Sequence, residues 1–466
     1  MVKTLHNTFL LKSFLLLPAL LMSLSVSAEE GDTLKFKLFD AVTFYDGYLY
    51  DKNPDSLVND GMLRHSTSLY AVPIPDSVLS KIGDHVGFQV YVQACCDNYD
   101  RIGNINLALV PKGATKYTPD SVQRIELGRF ITPFMDKNKT PDTVPYSYIV
   151  DYLSQILRDE NIRSNYDLWM EFELFGVPYA ANTQISGCAG RSDVFKGTLI
   201  LKTTEPTQPE INSDVLVPIA MKFTLNNYGK NATDTIGKTT KTWEFTVPRD
   251  VTDGQIVVVT SNHGSNSGGE EYNRRWHYIY YDDDLALSYI PGRKSCEPYR
   301  KYNTQANGIY GYYRRSDTNW QSFSNWCPGD VIDNRIINLG AVSAGTHKVK
   351  ITVPDAKFVG QQGEIPTSIF FQGVTEGNLP TGITALRADG SVAPSEPEVN
   401  MTISNGVVSF TSASPVLSVS VYDVNGHKLL TQDGGKSIDL SSYPKGIYLV
   451  NAELANGFID THKIAL

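Results

Sequence analysis

From Asp32 onward the chain is written in short runs of alternating apolar and polar residues, separated by Gly, Pro, Asn and Asp. Gly87-Phe88-Gln89-Val90-Tyr91-Val92 and Leu168-Trp169-Met170-Glu171-Phe172-Glu173-Leu174-Phe175 have the two-residue period of strands with one face toward a core. In the second run Met170, Phe172 and Leu174 share one face, and Trp169, Glu171, Glu173 and Phe175 the other. Lys241–Val247 and Gln255–Thr260 continue the pattern, and Thr346–Val353 predicts a regular, edge-like strand. A short helix is expected around Ile149–Leu157. The stretch from about 262 to 330 carries two cysteines and many aromatics but little periodicity, which predicts a long ordered loop of the kind that holds sites. In the tail Leu417, Val419 and Val421 alternate with polar residues, and Asn425-Gly426 and Asn456-Gly457 suit type I′ hairpin turns.

Turn-rich linkers divide these runs. Thr204-Glu205-Pro206-Thr207-Gln208-Pro209-Glu210 marks one boundary and a Pro/Ser/Glu-containing stretch near 391–398 another. The expected fold class is all-β, with one domain over 29–205, a second over 210–380 and a small β-sandwich over 399–466. The N-terminus predicts a signal peptide over 1–28. Lys3 and Lys12 precede the apolar run Phe14–Leu24, and Val26-Ser27-Ala28 supplies small residues for cleavage. That run is too short for a membrane span, and no later stretch is long enough.

Loss of residues 1–28 leaves 39 basic residues against 50 acidic ones. Such a balance argues against nucleic acid as a partner, because phosphate binders present dense basic surface. The 26 Tyr and 19 Phe agree with strands. Five cysteines, Cys95, Cys96, Cys188, Cys296 and Cys327, form no C-x-x-C pair, so a zinc ribbon is not indicated. Export permits disulfides, and the odd count leaves at least one thiol over. One of the adjacent Cys95 and Cys96 is expected to pair elsewhere, with Cys188 a candidate. Eight histidines form no HxH or HH pair for copper, and no G-x-S-x-G elbow marks a serine hydrolase.

Four strings carry more than pattern: Leu38-Phe39-Asp40-Ala41-Val42 with Asp46-Gly47, Cys96-Asp97-Asn98-Tyr99-Asp100-Arg101, Leu127-Gly128-Arg129-Phe130-Ile131-Thr132-Pro133-Phe134, and Trp326-Cys327-Pro328-Gly329. In this order and spacing they resemble the secreted bacterial peptide-N-glycosidase F family over roughly residues 32–375. The resemblance implies two adjacent eight-stranded antiparallel jelly rolls with the active site in the cleft between them. It implies hydrolysis of the amide joining the innermost N-acetylglucosamine to asparagine in N-linked glycoproteins or glycopeptides. The products would be a glycosylamine and an aspartate, with no metal or organic cofactor. Val421–Gly426, Tyr443–Val450 and Lys463–Leu466 resemble the sorting domain of type IX secretion substrates. That likeness implies handling by secretion machinery, and a place outside the cell or on its surface. A monomer is expected.

Carried onto these positions, the family pattern makes Asp100 the principal catalytic carboxylate, with Glu173 and Glu271 as its acidic partners. Arg101, beside Asp100, should draw its pKa down. Arg101, Tyr99, Phe175, Tyr272 and Trp326 are the implied substrate contacts, with Trp320 a further aromatic that could line a sugar cleft. The plainer reading makes Asp100-Arg101 a surface ion pair, Glu171 and Glu173 a solvated strand face, and the aromatics core. The resemblance also implies a Cys296–Cys327 disulfide. Two departures stand out. Cysteines that staple the loop around Glu271 in the family are replaced by Gly269 and Asn273. The arginine that precedes Trp-Cys-Pro-Gly has no counterpart in Gln321–Asn325, leaving Arg314 or Arg315 as candidates to replace it. Both departures favour a rival, a non-catalytic glycan-binding protein on the same scaffold. The three acids favour an enzyme.

Overall fold

The computed structural model describes residues 33–49, 61–204, 214–265, 267–305, 309–322, 325–376, 399–412, 415–423, 428–454 and 459–466. The expected signal peptide, the linker after Thr204, the 391–398 stretch and both Asn-Gly turns lie outside them. The first half supplies β1 (Leu34–Tyr45), β2 (Leu63–Ser66), β3 (Leu69–Pro73), β4 (Val86–Ala94), β5 (Ile102–Pro111), β6 (Gln123–Ile131), β7 (Thr143–Ile149), β8 (Tyr166–Leu174) and β9 (Asp193–Thr203). The second supplies β10 (Asp214–Leu225), β11 (Thr240–Val247), β12 (Val251–Thr260), β13 (His277–Tyr281), β14 (Asp284–Tyr289), β15 (Val331–Ile332), β16 (Arg335–Val342), β17 (Gly345–Thr352) and β18 (Ile365–Val374). The fold is all-β: two adjacent antiparallel jelly rolls and a small C-terminal β-sandwich. The expected helix is Leu153–Arg158, which begins four residues after β7 ends.

Alternation builds each layer. Along β4 Phe88, Val90 and Val92 are buried while Tyr91 is exposed. In the first roll, the sheet ordered β1-β9-β4-β7 faces one ordered β15-β6-β5-β8-β3-β2. Phe172 meets Phe44 edge-on at 5.1 Å and Phe39 at 5.7 Å between them, each such burial contributing about 1.5–3 kcal/mol. The second roll pairs β10-β18-β12-β16 with β11-β17-β13-β14. β17 is not an edge but lies between β11 and β13; its solvated face carries lysines, while Val349 and Ile351 point into the core.

The stretch expected to be one irregular loop contains the hairpin β13–β14. Its turn residues Asp282 and Asp283 take φ of 46° and 71°, the left-handed pair of a type I′ turn. The strand shows no alternation because both its faces are covered. Ile279 enters the core of the second roll, while Tyr278 and Tyr280 pack on Tyr422 and Leu449 of the C-terminal sandwich. Ser288 and Asn451 join across the same contact, Nδ2 to Oγ at 3.2 Å.

The rolls are sewn together along β6. β15, from the second half of the chain, pairs with Phe130 and Arg129 and so extends a sheet of the first roll. Arg129 is fully buried. It holds both oxygens of Glu126, at 2.8 and 2.7 Å, and reaches into the second roll to Ser261 Oγ at 2.9 Å and the Pro366 carbonyl at 2.7 Å. Ser368, from β18, donates to the same Glu126. A buried charge with every guanidinium nitrogen engaged fixes register, since any slip leaves it unpaired.

Candidate active site

The segment after β4 leaves the sheet at Cys95 and Cys96, whose amides still pair with Val194 and Asp193. Cys96 is bonded to Cys188; Cys95 is a buried free thiol that burial pushes up to about 12. Three residues on, buried Asp97 gathers the chain around itself. It accepts from Arg101 Nε at 2.6 Å, Val177 N at 2.7 Å and Tyr99 N at 3.0 Å. Thr132 closes the turn, accepting from Arg101 N at 2.8 Å and donating to the Tyr99 carbonyl at 3.1 Å. The Trp326–Gly329 string meets the same strand end, Gly329 N donating to Ile131 O at 2.9 Å. Asp100 is left projecting from the turn that Asp97 and Thr132 hold.

The Glu271 loop comes from the second roll. It has no disulfide, and the adjacent Glu270 takes over the fastening. Glu270 is fully buried, paired with Arg275 at 3.0 Å, and accepts from Asn262 Nδ2 at 3.1 Å and Lys357 N at 2.5 Å. Asn325 Nδ2 donates to the Glu271 carbonyl at 2.7 Å, and Asn273 donates to Gly269 O. Gly269 and Asn273, which replace the expected cysteines, therefore form a hydrogen bond to each other. Beside it the 263–264 and 363–364 segments touch as a bridge. Gly363, at φ 92°, has no room for a side chain, because a Cβ there would sit 2.2 Å from the His263 carbonyl. Gly264 N donates to the Glu271 carboxylate at 2.6 Å.

These two constructions face a cleft of about 580 Å³ lined by Tyr99, Asp100, Arg101, Phe134, Gly264, Ser265, Glu271, Tyr272, Gln362 and Gly363. Tyr272 Oη donates to Asp100 Oδ2 at 3.3 Å. Burial, then the charge of Glu271, push Asp100 up to about 7, with Arg101 pulling the other way. The expected downward shift is thus reversed. Arg101 spends its guanidinium on Asp97, so Asp100 feels the second carboxylate more than the cation. Burial also raises Glu271, against the Gly264 amide and Arg101. Burial and Asp100 raise Tyr272, which stays a neutral donor. Water activation by a carboxyl near pKa 7, beside a fixed hydroxyl donor, is what such a site can do.

Asp100, Glu271, Arg101, Tyr99 and Tyr272 therefore come together, and the other expected residues do not. Glu173 lies on β8 and pairs with Lys222 of the second roll; burial pushes its pKa up, but Lys222 outweighs this and holds it below the ordinary value. It is absent from the cleft lining. Phe175 packs on Gly47 and edge-on against Tyr48. Trp326 is buried behind Tyr272, 5.4 Å between rings, with its indole N–H on the Asn262 carbonyl at 3.0 Å. Trp320 is core, packed with Tyr310 against the Cys296–Cys327 disulfide. Arg315 is taken up by the Ile309 carbonyl and the Trp320 ring, and neither it nor Arg314 lines the cleft. Ser265, Gln362 and the two glycines are the lining residues that no sequence signal marked, while Phe134 ends the Leu127–Phe134 string without having been singled out. Among the described residues no group of three or more His, Cys, Asp or Glu side chains is placed to hold a metal.

A family model described as peptide-N-glycosidase F, N terminal, matches residues 38–188, and its C-terminal companion matches 227–371. A third, the secretion system C-terminal sorting domain, matches 394–466. Among solved structures, PNGF-II in two crystal forms gives TM-scores of 0.53 and 0.51 at 19% and 20% identity, over 74% of this chain. The matches span 66% and 65% of those chains, just under two thirds of their length. PNGase F, described as a glycosylasparaginase from Flavobacterium meningosepticum, gives 0.49 at 14% identity, over 75% of this chain and 97% of its own. At such identities the likeness shows the fold alone. No curated protein sequence matches the chain.

Proposed function

We propose, from the premise that this chain carries both domains of the peptide-N-glycosidase F family followed by a secretion sorting domain, that it is an exported glycoamidase acting on N-linked glycans. The observation that carries the reading is the meeting of Asp100 and Glu271, delivered by separate jelly rolls, in one cleft with the Tyr272 hydroxyl on Asp100. Ionised Asp100 takes a proton from a water molecule as its oxygen attacks the side-chain amide carbon. The same proton passes to the departing nitrogen as the C–N bond breaks, leaving aspartate in the peptide and a glycosylamine. A carboxyl with a pKa near 7 serves both transfers, because neither direction is strongly uphill at neutral pH. Tyr272, its hydroxyl donating to Asp100 Oδ2, holds that carboxylate in place as it accepts the proton. Glu271 raises the basicity of Asp100 through its charge, and Glu173 braces the roll interface through Lys222.

The sorting domain supports delivery outside the cell or to its surface, and no helix among the described residues is long and apolar enough to cross a membrane. One observation favours the rival reading of a glycan-binding protein: among the described residues, the cation that lines the cleft, Arg101, is already paired with Asp97. Incubating purified protein with a denatured N-glycoprotein and following Asn-to-Asp conversion by mass spectrometry separates the two. Conversion with release of intact glycan is expected; binding without conversion refutes the enzyme.

A further inference from the structure

Large apolar side chains are costly to leave in water, and most of those in this chain are buried. Tyr48 and Tyr179 are not: they are 63% and 60% exposed. They come from separate loops, one after β1 and one after β8, yet their rings lie within 10° of parallel with centroids 6.4 Å apart. Neither is loosely held. Tyr48 rests edge-on against Phe175, 5.3 Å between rings. Its amide donates to Asp46 Oδ1 at 3.1 Å, and the Tyr179 hydroxyl is held by the same buried Asp46. Backbone bonds from Gly47 N to Gly176 O and from Asp46 N to Ser192 O, both 2.8 Å, lock the loops together. Phe175 fills the space over Gly47 and supports the pair from beneath.

The platform is coupled to the cleft. Val177, two residues before Tyr179, donates its amide to Asp97, the carboxylate that orients Arg101. Tyr48 itself is close enough to Arg101 for the two to interact electrostatically. Rigid tyrosines with parallel faces suit the C–H faces of a pyranose. They give large contact area with little side-chain entropy to lose. The carboxylate beneath them is buried and spent on holding the rings, so the platform recognises a ring face rather than a charge.

We propose that Tyr48 and Tyr179 form a second carbohydrate subsite, which holds a sugar of the same glycan beyond the two N-acetylglucosamines nearest asparagine. This rests on the reading of the cleft as a glycan site but not on hydrolysis there. Two free oligosaccharides test it by titration calorimetry on the purified full chain: di-N-acetylchitobiose, which reaches the cleft only, and a high-mannose N-glycan, which reaches both. The Tyr48→Ala/Tyr179→Ala variant should lose about tenfold in affinity for the long oligosaccharide and none for chitobiose. Tyr179→Phe, which keeps the ring and drops the bond to Asp46, should recover most of the loss. Unchanged long-glycan affinity in the double variant overturns the proposal. Equal weakening of both probes also overturns it, by showing that the tyrosines only prop up the loops. If the wild-type chain binds chitobiose but shows no gain for the long glycan, the subsite is refuted while the cleft reading stands. If it binds neither, both fall together.

Discussion

The segment carrying Asp100 is tied to its roll by a covalent bond between Cys96 and Cys188, whereas the loop carrying Glu271 is held by a buried carboxylate and an asparagine side chain. Both solutions address one problem. A cleft residue must project from irregular backbone, and irregular backbone needs fastening before its side chains can be aimed. A disulfide limits the unfolded ensemble and is indifferent to salt and pH. A buried ion pair gives little net stability but punishes any arrangement that unpairs it. The first side of the cleft thus adds a covalent tie to the buried Asp97–Arg101 pair, whereas the second relies on electrostatic complementarity without one. Their responses to perturbation should differ accordingly.

The largest effect is expected at the residue both sides serve. Asp100→Asn should lower turnover about a thousandfold with unchanged melting, measured by glycopeptide deamidation; near wild-type rates would remove Asp100 from the chemistry. Next, Glu270→Gln strands Arg275 in a buried site and should cost about 3–5 kcal/mol in chemical denaturation, with activity falling as the Glu271 loop loosens. If stability and rate both hold, complementarity does not fasten that loop. Replacing Cys96 and Cys188 together by Ser should cost about 2–4 kcal/mol yet leave turnover at 25 °C close to wild type, because Asp97 still gathers the turn. A rate loss as deep as that of Glu270→Gln would erase the contrast between the two sides.

The smallest effect concerns pH. Burial and Glu271 hold Asp100 near 7, above its unfolded value, so the folded chain carries the extra proton between about 4 and 7. Raising the pH across that window should therefore lower stability, and should raise activity as the base form appears. In Glu271→Gln the neighbouring charge is gone, and the midpoint of the rate profile should move downward. A midpoint that stays put would show that burial alone sets it.

Much of this architecture was legible in the chain. Alternation located β4, β8 and β11 within a few residues, and a continuous apolar run located β12, which is buried on both faces. Alternation missed β13–β14, where His277, Tyr278, Ile279 and Tyr280 are all buried between the core and the C-terminal sandwich. No alternation survives when both faces are dry. The family resemblance pointed to Glu271, and the physical distinction between it and the adjacent Glu270, one on the cleft, one buried and paired, needed three dimensions. The sign of the Asp100 shift was misread for a similar reason. Proximity in sequence joined Arg101 to Asp100, but the turn folds Arg101 back on Asp97. Gln362 and Gly363 enter the cleft from nearly a hundred residues beyond Glu271, without any local mark.

Cys95 and Cys96 are neighbours just beyond the end of β4, and only Cys96 is bonded to Cys188. Joining Cys188 to the wrong one would rotate the following turn by a residue and carry Asp100 away from Glu271. The fold guards against this error chemically. Thiol exchange proceeds through thiolate, and burial keeps Cys95 protonated at any physiological pH. Once the first roll has closed over it, Cys95 can no longer compete for Cys188. Fidelity of the oxidised product then depends on collapse preceding oxidation, so the order of those two events decides how much correctly paired chain forms.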